Sequence, residues 1–171
     1  MRNVLLLSSG SKVALTRIVS KSTRKRGGIL FACDSSKNVP TRHFSDAFYL
    51  LETNDWTEPL IDFCLQSSIG LIIPTRHSDL LPLAQARNAF EQAAITLALS
   101  SLETIQLCAD KRNTAAFLER NHFPAPQSFT EEDYPKDRLF EKLPLISKPV
   151  RGFSSQGIRI YRNAHELPES L

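Results

Sequence analysis

Cysteine is scarce in this chain. Its three residues, Cys33, Cys64 and Cys108, are odd in number, widely spaced and set inside apolar stretches. Such a set excludes a disulfide framework and reads as reduced, mostly buried packing thiols of an intracellular protein. Long apolar runs are missing as well. Nothing approaches the roughly 20 residues that span a bilayer, and Val4–Leu7 is too short for the hydrophobic region of a signal peptide. The expectation is a cytoplasmic protein with no membrane partner. Several chemical motifs are absent too. There is no Walker motif, and the Ser8–Ser11 turn lacks the G-x-G-x-x-G spacing of a nicotinamide or flavin site. Asp34, where a ribose-binding acid would stand, is therefore expected to hydrogen-bond within its turn. His43, His77, His122 and His165 are scattered, without His-Glu-x-x-His or Cys/His spacing, so no metal ligand is assigned. No nucleophile elbow supports Ser/His/Asp catalysis, and catalytic residues stay unassigned.

What is present is an ordinary soluble composition, 42% hydrophobic and 23% charged, with a net charge of only +3. That balance does not argue for nucleic acid. The basic run Lys21–Arg26 falls at an expected helix C-terminus, where cations complement the dipole, and no aromatics interleave it. Nucleic acid is therefore not an expected partner. At 171 residues the chain accommodates one ordinary domain and a small second one, without repeats or low-complexity stretches.

Strand and helix signals alternate. Val4–Leu7 reads as a buried parallel strand, followed by a helix over Lys12–Thr23 with Val13, Leu15, Ile18 and Val19 towards the sheet. Strands are expected at Ile29–Cys33, Phe48–Leu51, Leu71–Ile73 and Ile95–Leu99. Asp55 and Glu58 are spaced to open a helix near Trp56, and a further helix spans Leu80–Gln92. Ser100 and Glu103 form a capping box that opens a long helix to about Arg120 or Asn121. The alternation predicts an α/β fold: a mostly parallel Rossmann-like sheet with helices on both faces over residues 1–100. A connecting helix then covers 101–121. The prolines of His122–Pro126 mark a junction to a small, incomplete α+β part over 122–171, with an irregular acidic stretch and a helical piece near Lys136–Lys142.

The most informative segment is Leu145–Tyr161. Two apolar runs flank a loop of small residues, with Lys148 at its entrance. Small residues let backbone amides approach a phosphate, and a lysine on the edge adds a positive point charge. The pattern Lys-Pro-x4-Ser-Ser-x-Gly resembles the lysine strand and phosphate-covering loop of the ATP-grasp ligases. Further segments, in order, extend the likeness: Ala32–Ser36 with Ser45–Tyr49, Leu71–Thr75 with Asp79–Ala84, and Ser101–Ile105 through Asp110-Lys111 to Phe123–Pro126. The whole chain is similar to the N-terminal part of a carbamoyl-phosphate-synthase-like ATP-grasp protein, that is, a pre-ATP-grasp domain and the start of the ATP-grasp domain.

The resemblance implies that Lys111 and Lys148 grip nucleotide phosphates and that Gly152, Ser154, Ser155 and Gly157 lie in the loop closing over them. A cation within about 4 Å of a phosphate gains ~4 kcal/mol per unit charge at an effective dielectric near 20, enough for two lysines to anchor a triphosphate. Ser154, where many such loops have glycine, either donates its hydroxyl or stiffens the loop. Arg151 is a third phosphate contact or, the reading slightly favoured, a solvated residue. The implied cofactors are ATP and magnesium, with the magnesium ligands and adenine hinge expected beyond Leu171. The implied partners are ATP, a small-molecule carboxylate, and a missing C-terminal portion or partner chain, with homo-dimerisation left open. The implied activity is that of an ATP-dependent ligase activating a carboxylate as an acyl phosphate for an amine or other nucleophile, with this chain inactive alone. A non-catalytic nucleotide- or partner-binding module is the alternative, and a nucleotide-dependent oxidoreductase using Ser8–Ser11 is the weaker third.

Overall fold

Leu5, Leu6 and Leu7 are fully buried, as an unbroken apolar run in a central parallel strand requires. Full burial of such a side chain contributes roughly 1.5–3 kcal/mol. They belong to β1 (Asn3–Leu7) of a computed structural model that describes residues 2–51, 56–130, 140–152 and 155–167. The chain divides into two units, Met1–Ile105 and Gln106–Leu171.

The first unit continues with α1 (Val13–Lys25), β2 (Leu30–Asp34), β3 (Ala47–Leu50), α2 (Thr57–Gln66) and β4 (Ile69–Pro74). After these come α3 (His77–Gln85), α4 (Arg87–Gln92) and β5 (Thr96–Leu97). The five strands are all parallel, in the order β3-β2-β1-β4-β5. From β1 the chain therefore moves outward through β2 and β3, then returns to β1's other side. With right-handed crossovers, this order sets α1 on one face and α2, α3 and α4 on the other. The core agrees: Leu5 and Leu7 cluster with Leu60 and Cys64 of α2, Leu83 of α3 and Phe90 of α4.

The opposite face corrects one expectation. Leu15 and Ile18 of α1 point to solvent, Ile18 being 68% exposed. The buried residues are Thr16, Ser20 and Thr23, spaced four and three apart on one side of the helix. Thr16 and Thr23 satisfy their hydroxyls on the carbonyls of Lys12 and Val19, at 3.0 and 2.8 Å. A short hydroxyl residue that bonds its own preceding turn carries no unpaired polar group into the interface. Ala32 is buried in β2, and a Cβ at buried Gly28 would lie 3.2 Å from Thr23 Cγ2. The small residues thus belong to a close approach that Leu and Ile would obstruct.

Two expected helices are each divided. Leu80–Gln92 becomes α3 and α4, parting at Ala86, with Pro82 inside α3. The long helix after Ser100 becomes α5 (Leu102–Ala109) and α6 (Lys111–Arg120). Asp110 takes extended backbone angles (φ −115°, ψ 120°) and its carboxylate accepts from the Arg112 amide at 2.9 Å, starting a new helix. Ser101, rather than Ser100, receives the Thr104 amide at the head of α5, at 3.3 Å. The fifth strand is also shorter than Ile95–Leu99.

In the second unit, α6 is followed by the antiparallel pair β6 (Leu145–Ser147) and β7 (Arg159–Tyr161), in register Leu145↔Tyr161, Ile146↔Ile160 and Ser147↔Arg159. Ala164–Glu166 forms a single short helical turn. Asp55, Glu131–Asp133 and most of the helical piece expected near Lys136–Lys142 lie outside the described residues.

Candidate active site

The break at Asp110 positions the head of α6 against the loop that leaves β6. The Lys111 amide donates to the Val150 carbonyl at 3.0 Å. Its ammonium group donates to the carbonyls of Pro149, at 2.8 Å, and Gly152, at 3.3 Å. One residue therefore holds three carbonyls of a four-residue span. Asp110 adds a second tie. It is buried, and takes three hydrogen bonds from Arg112: the amide at 2.9 Å, Nε at 3.3 Å and Nη2 at 3.0 Å. Arg151 Nε approaches the same carboxylate at 3.7 Å while its side chain stays 80% exposed. Arg151 is thus solvated and ion-paired together. The side-chain hydrogen bond from Arg112 holds the Asp110 carboxyl down at about pKa 2.

Lys148 stands just after β6, exposed, with no side-chain hydrogen bond or ion pair among the described residues. Gly157 has φ +70°, and a Cβ there would come within 2.7 Å of Pro149 Cγ. Glycine is required at that position both for the backbone angle and for the close approach. Ser155 also adopts a left-handed angle, φ +59°, and is exposed. Ser154 lies outside the described residues. The fold thus brings Lys111, Pro149, Gly152 and Gly157 into one small cluster with Lys148 next in sequence. Sequence reasoning noted the Asp110-Lys111 pair but missed that Asp110 caps a helix and pairs Arg151. An Asp directly before a helix-favouring run is a cap signal, but the capping box at Ser100 and Glu103 had already claimed that run.

In the first unit the turn after β1 uses its amides internally. Ser9 N donates to the Cys33 carbonyl at 3.0 Å and Gly10 N to Asp34 Oδ2 at 2.8 Å. Those donors are not free for a pyrophosphate, and Asp34 bonds within its own turn only through the Ser36 amide, at 3.3 Å, while its Oδ2 reaches across to Gly10 and lies 3.5 Å from Arg76 Nη2. Thr75, after β4, donates its hydroxyl to the carbonyls of Leu7 and Ser8, at 3.0 and 2.7 Å. Cys33 and Cys64 are buried and free, while Cys108 is exposed, against the expectation from its apolar neighbours. No described helix is long and apolar enough to cross a membrane. Among the described residues no group of three or more His, Cys, Asp or Glu side chains could hold a metal ion, so they supply no magnesium cluster.

Comparison with known proteins places this architecture. Residues 4–98 match the family model of the PylC-like N-terminal domain, and residues 108–171 match that of an ATP-grasp domain. The chain belongs to the ATP-grasp superfamily, with a PylC-like N-terminal domain as its first part. A formate-dependent phosphoribosylglycinamide formyltransferase of Prochlorococcus marinus is 24% identical over 171 residues, covering 99% of this chain and 42% of the relative. The chain thus spans less than half the length of that curated relative. Among solved structures, N5-carboxyaminoimidazole ribonucleotide synthetase from Thermotoga maritima superposes with TM-score 0.71 at 19% identity, over 100% of this chain and 44% of the other. The biotin carboxylase domain dimer of Hydrogenobacter thermophilus 2-oxoglutarate carboxylase, in complex with MgADP, gives TM-score 0.68 at 22% identity, over 98% and 39%. At these identities the superpositions establish the fold.

Proposed function

We propose that this chain provides the first domain and the phosphate-facing loop of an ATP-dependent ligase, of carbamoyl-phosphate-synthase-like type, that activates a small-molecule carboxylate. The carrying observation is the Lys111 ammonium bound to two carbonyls of the loop that Lys148 opens. Carbonyl oxygens and phosphate oxygens are both acceptors, so the same ammonium can exchange one for the other as the loop moves. A phosphate also carries charge, which makes it the stronger acceptor. Lys148, with no competing carboxylate among the described residues, supplies the second positive charge. Gly152, Ser154, Ser155 and Gly157 form the segment that covers the phosphates, with Gly157 permitting its turn over Pro149.

ATP, when bound, supplies the phosphoryl group that converts a carboxylate into an acyl phosphate. The residues of this chain bind and orient the phosphates and offset their charge; phosphoryl transfer is largely a matter of such positioning and charge stabilisation. Magnesium belongs to the same reading, with ligands drawn from outside the described residues. The relatives' greater length and the nucleotide complex named for the carboxylase domain support this reading. The buried free thiols suit a reducing cytoplasm.

Calorimetric titration with ATP and magnesium tests it, using this chain and a longer protein that carries it. The expected result is binding in the longer protein that Lys148→Ala weakens by about tenfold or more, the loss of one charged contact. Binding that is indifferent to Lys148→Ala would overturn the assignment. Full-strength binding by the 171-residue chain alone would favour a self-sufficient nucleotide-binding module.

A further inference from the structure

Charge is segregated along this chain. It carries 21 basic and 18 acidic residues, yet no acid precedes Asp34, and every ionic residue of α1 is a cation. Arg17, Lys21, Arg24 and Lys25 stand at i, i+4, i+7 and i+8, a single stripe along the helix. The helix dipole accounts for Arg24 and Lys25, which lie in the last turn, but not for Arg17 and Lys21 before it. Like charges four apart, Arg17 with Lys21 and Lys21 with Lys25, weaken a helix. The stripe therefore opposes the element that carries it, and folding alone gives no reason for it.

The stripe faces a cleft of about 620 Å³. The crossover from β2 to β3 contains no α-helix, only the short turn Pro40–His43, so the flank of α1 that a second helix would cover stays open. Arg17, Lys21, Arg24 and Lys25 form one wall of the cleft, and His43, Phe44 and Ser45 the other. No carboxylate is among the described residues that line it. Asp46, beside it, is committed: it accepts from Arg24 Nε at 2.7 Å and from the Leu30 amide at 2.8 Å. Leu30 begins β2, so the cleft reaches the amino edge of the sheet, opposite the turn after β1. Arg17, Lys21 and Lys25 have no carboxylate partner among the described residues. Arg17 instead lies over the Phe44 ring, 5.6 Å from its centroid, which holds the guanidinium at the cleft. Ile18, next to the stripe, is 68% exposed, and Phe44 is 39% exposed.

We infer that this cleft docks an acidic segment of another polypeptide, its carboxylates meeting Arg17, Lys21 and Lys25 and its apolar side chains covering Ile18 and Phe44. Complementary charge sets the sign of the partner. A second copy of this chain would place cations against cations across a two-fold axis. A small anion would stay largely wet, because the cations around the cleft are exposed, whereas ligand pockets bury most of a ligand's surface. A membrane presents a plane of headgroups, but these cations stand around a hollow that only projecting side chains fill. Nucleic acid offers no aliphatic side chains to cover Ile18. The one ring at the cleft, Phe44, has a face taken by Arg17 rather than free to stack on a base. A polypeptide supplies both carboxylates and apolar side chains, as in helix-in-groove recognition.

The test measures binding of labelled synthetic peptides to the chain by fluorescence anisotropy, without nucleotide, and maps the site by amide NMR shifts. The probe is a helical peptide of glutamate, leucine and alanine; controls replace its glutamates by glutamine or its leucines by alanine. Oligothymidylate of equal charge and vesicles of mixed phosphatidylserine and phosphatidylcholine represent the competing classes. Saturable binding of the glutamate–leucine peptide is expected, with shifts on α1 and on His43–Ser45. The glutamine control and the variant Lys21→Glu should each weaken it by about tenfold or more, the loss of a charged contact. Added salt should weaken it too. Arg17→Gln, a good helix former at an exposed position, should act likewise with the fold intact. The alanine control and Ile18→Ser should weaken it by about threefold or more, through lost apolar contact. Lys37→Glu, the same charge change at an exposed position outside the cleft, should leave it unchanged. An equal loss with Lys37→Glu would overturn the proposal, since net charge alone would then explain the binding. So would tighter binding of oligothymidylate or vesicles, no saturable binding of the peptide, or a dimer of the chain that Ile18→Ser dissociates. Because no nucleotide is present, the outcome stands whether or not Lys111 and Lys148 bind ATP.

Discussion

Lys111 ties Pro149 down from the head of α6: its ammonium donates to the Pro149 carbonyl at 2.8 Å, and its amide donates to the next carbonyl, of Val150, at 3.0 Å. The residue proposed as a phosphate ligand is thus also a staple of the loop proposed to cover the phosphate. Lys111→Ala removes the side-chain half of that staple. The expected cost is about 1 kcal/mol, the net value of a hydrogen bond that water can partly replace. Denaturant unfolding measures it, and amide exchange should quicken over Val150–Gly152 while Leu5–Leu7 stays slow.

Asp110 gives the second unit a pH dependence of definite sign. Its carboxyl is held at about pKa 2, against 3.8 for the free group, first by the Arg112 side chain. A depressed folded value means the stabilisation is complete above the unfolded value and disappears as pH falls through the folded one. Helicity of α6 should therefore decline between about pH 4 and pH 2. Asp110→Asn should abolish the dependence in that window, as followed by circular dichroism or by resonances of Arg112 and Thr114.

The three thiols should divide two to one. Burial pushes Cys33 and Cys64 each up to about pKa 12, with the Asp34 charge adding to the effect at Cys33. At pH 8 neither supplies appreciable thiolate, the reactive form. Cys108 is exposed. A disulfide reagent should label one thiol quickly in the native chain and all three in denaturant. Fast native labelling of Cys33 would contradict the packing of β2.

Gly157→Ala should loosen the strand pair. A Cβ would meet Pro149 Cγ at 2.7 Å, and φ +70° is unfavourable for alanine. The left-handed conformation alone costs roughly 1–2 kcal/mol. Amide exchange across Leu145–Ser147 and Arg159–Tyr161 should quicken.

How legible this was in the sequence depended on the kind of signal. Unbroken apolar runs located β1, β2 and β4 within a residue or two, because a strand buried on both faces has little freedom of composition. The strand pair β6 and β7 was legible because two short apolar runs flank a loop of small residues. The direction of α1 was not. Its sheet face is built from Thr16, Ser20 and Thr23, whose hydroxyls bond their own helix, and hydrophobicity alone assigns that role to Leu15 and Ile18. Nor was the break at Asp110, since one residue's extended backbone is invisible to a periodicity that continues on either side.

The central claim, that Lys111 and Lys148 hold the phosphates of ATP, is tested most directly by nucleotide protection of individual lysines. Acetylation of each lysine is followed by mass spectrometry in a longer protein that carries this chain, with ATP and magnesium or with adenosine. The account predicts that ATP slows modification of both Lys111 and Lys148 while adenosine, lacking phosphates, slows neither. Unchanged rates at these two lysines under saturating ATP would contradict it.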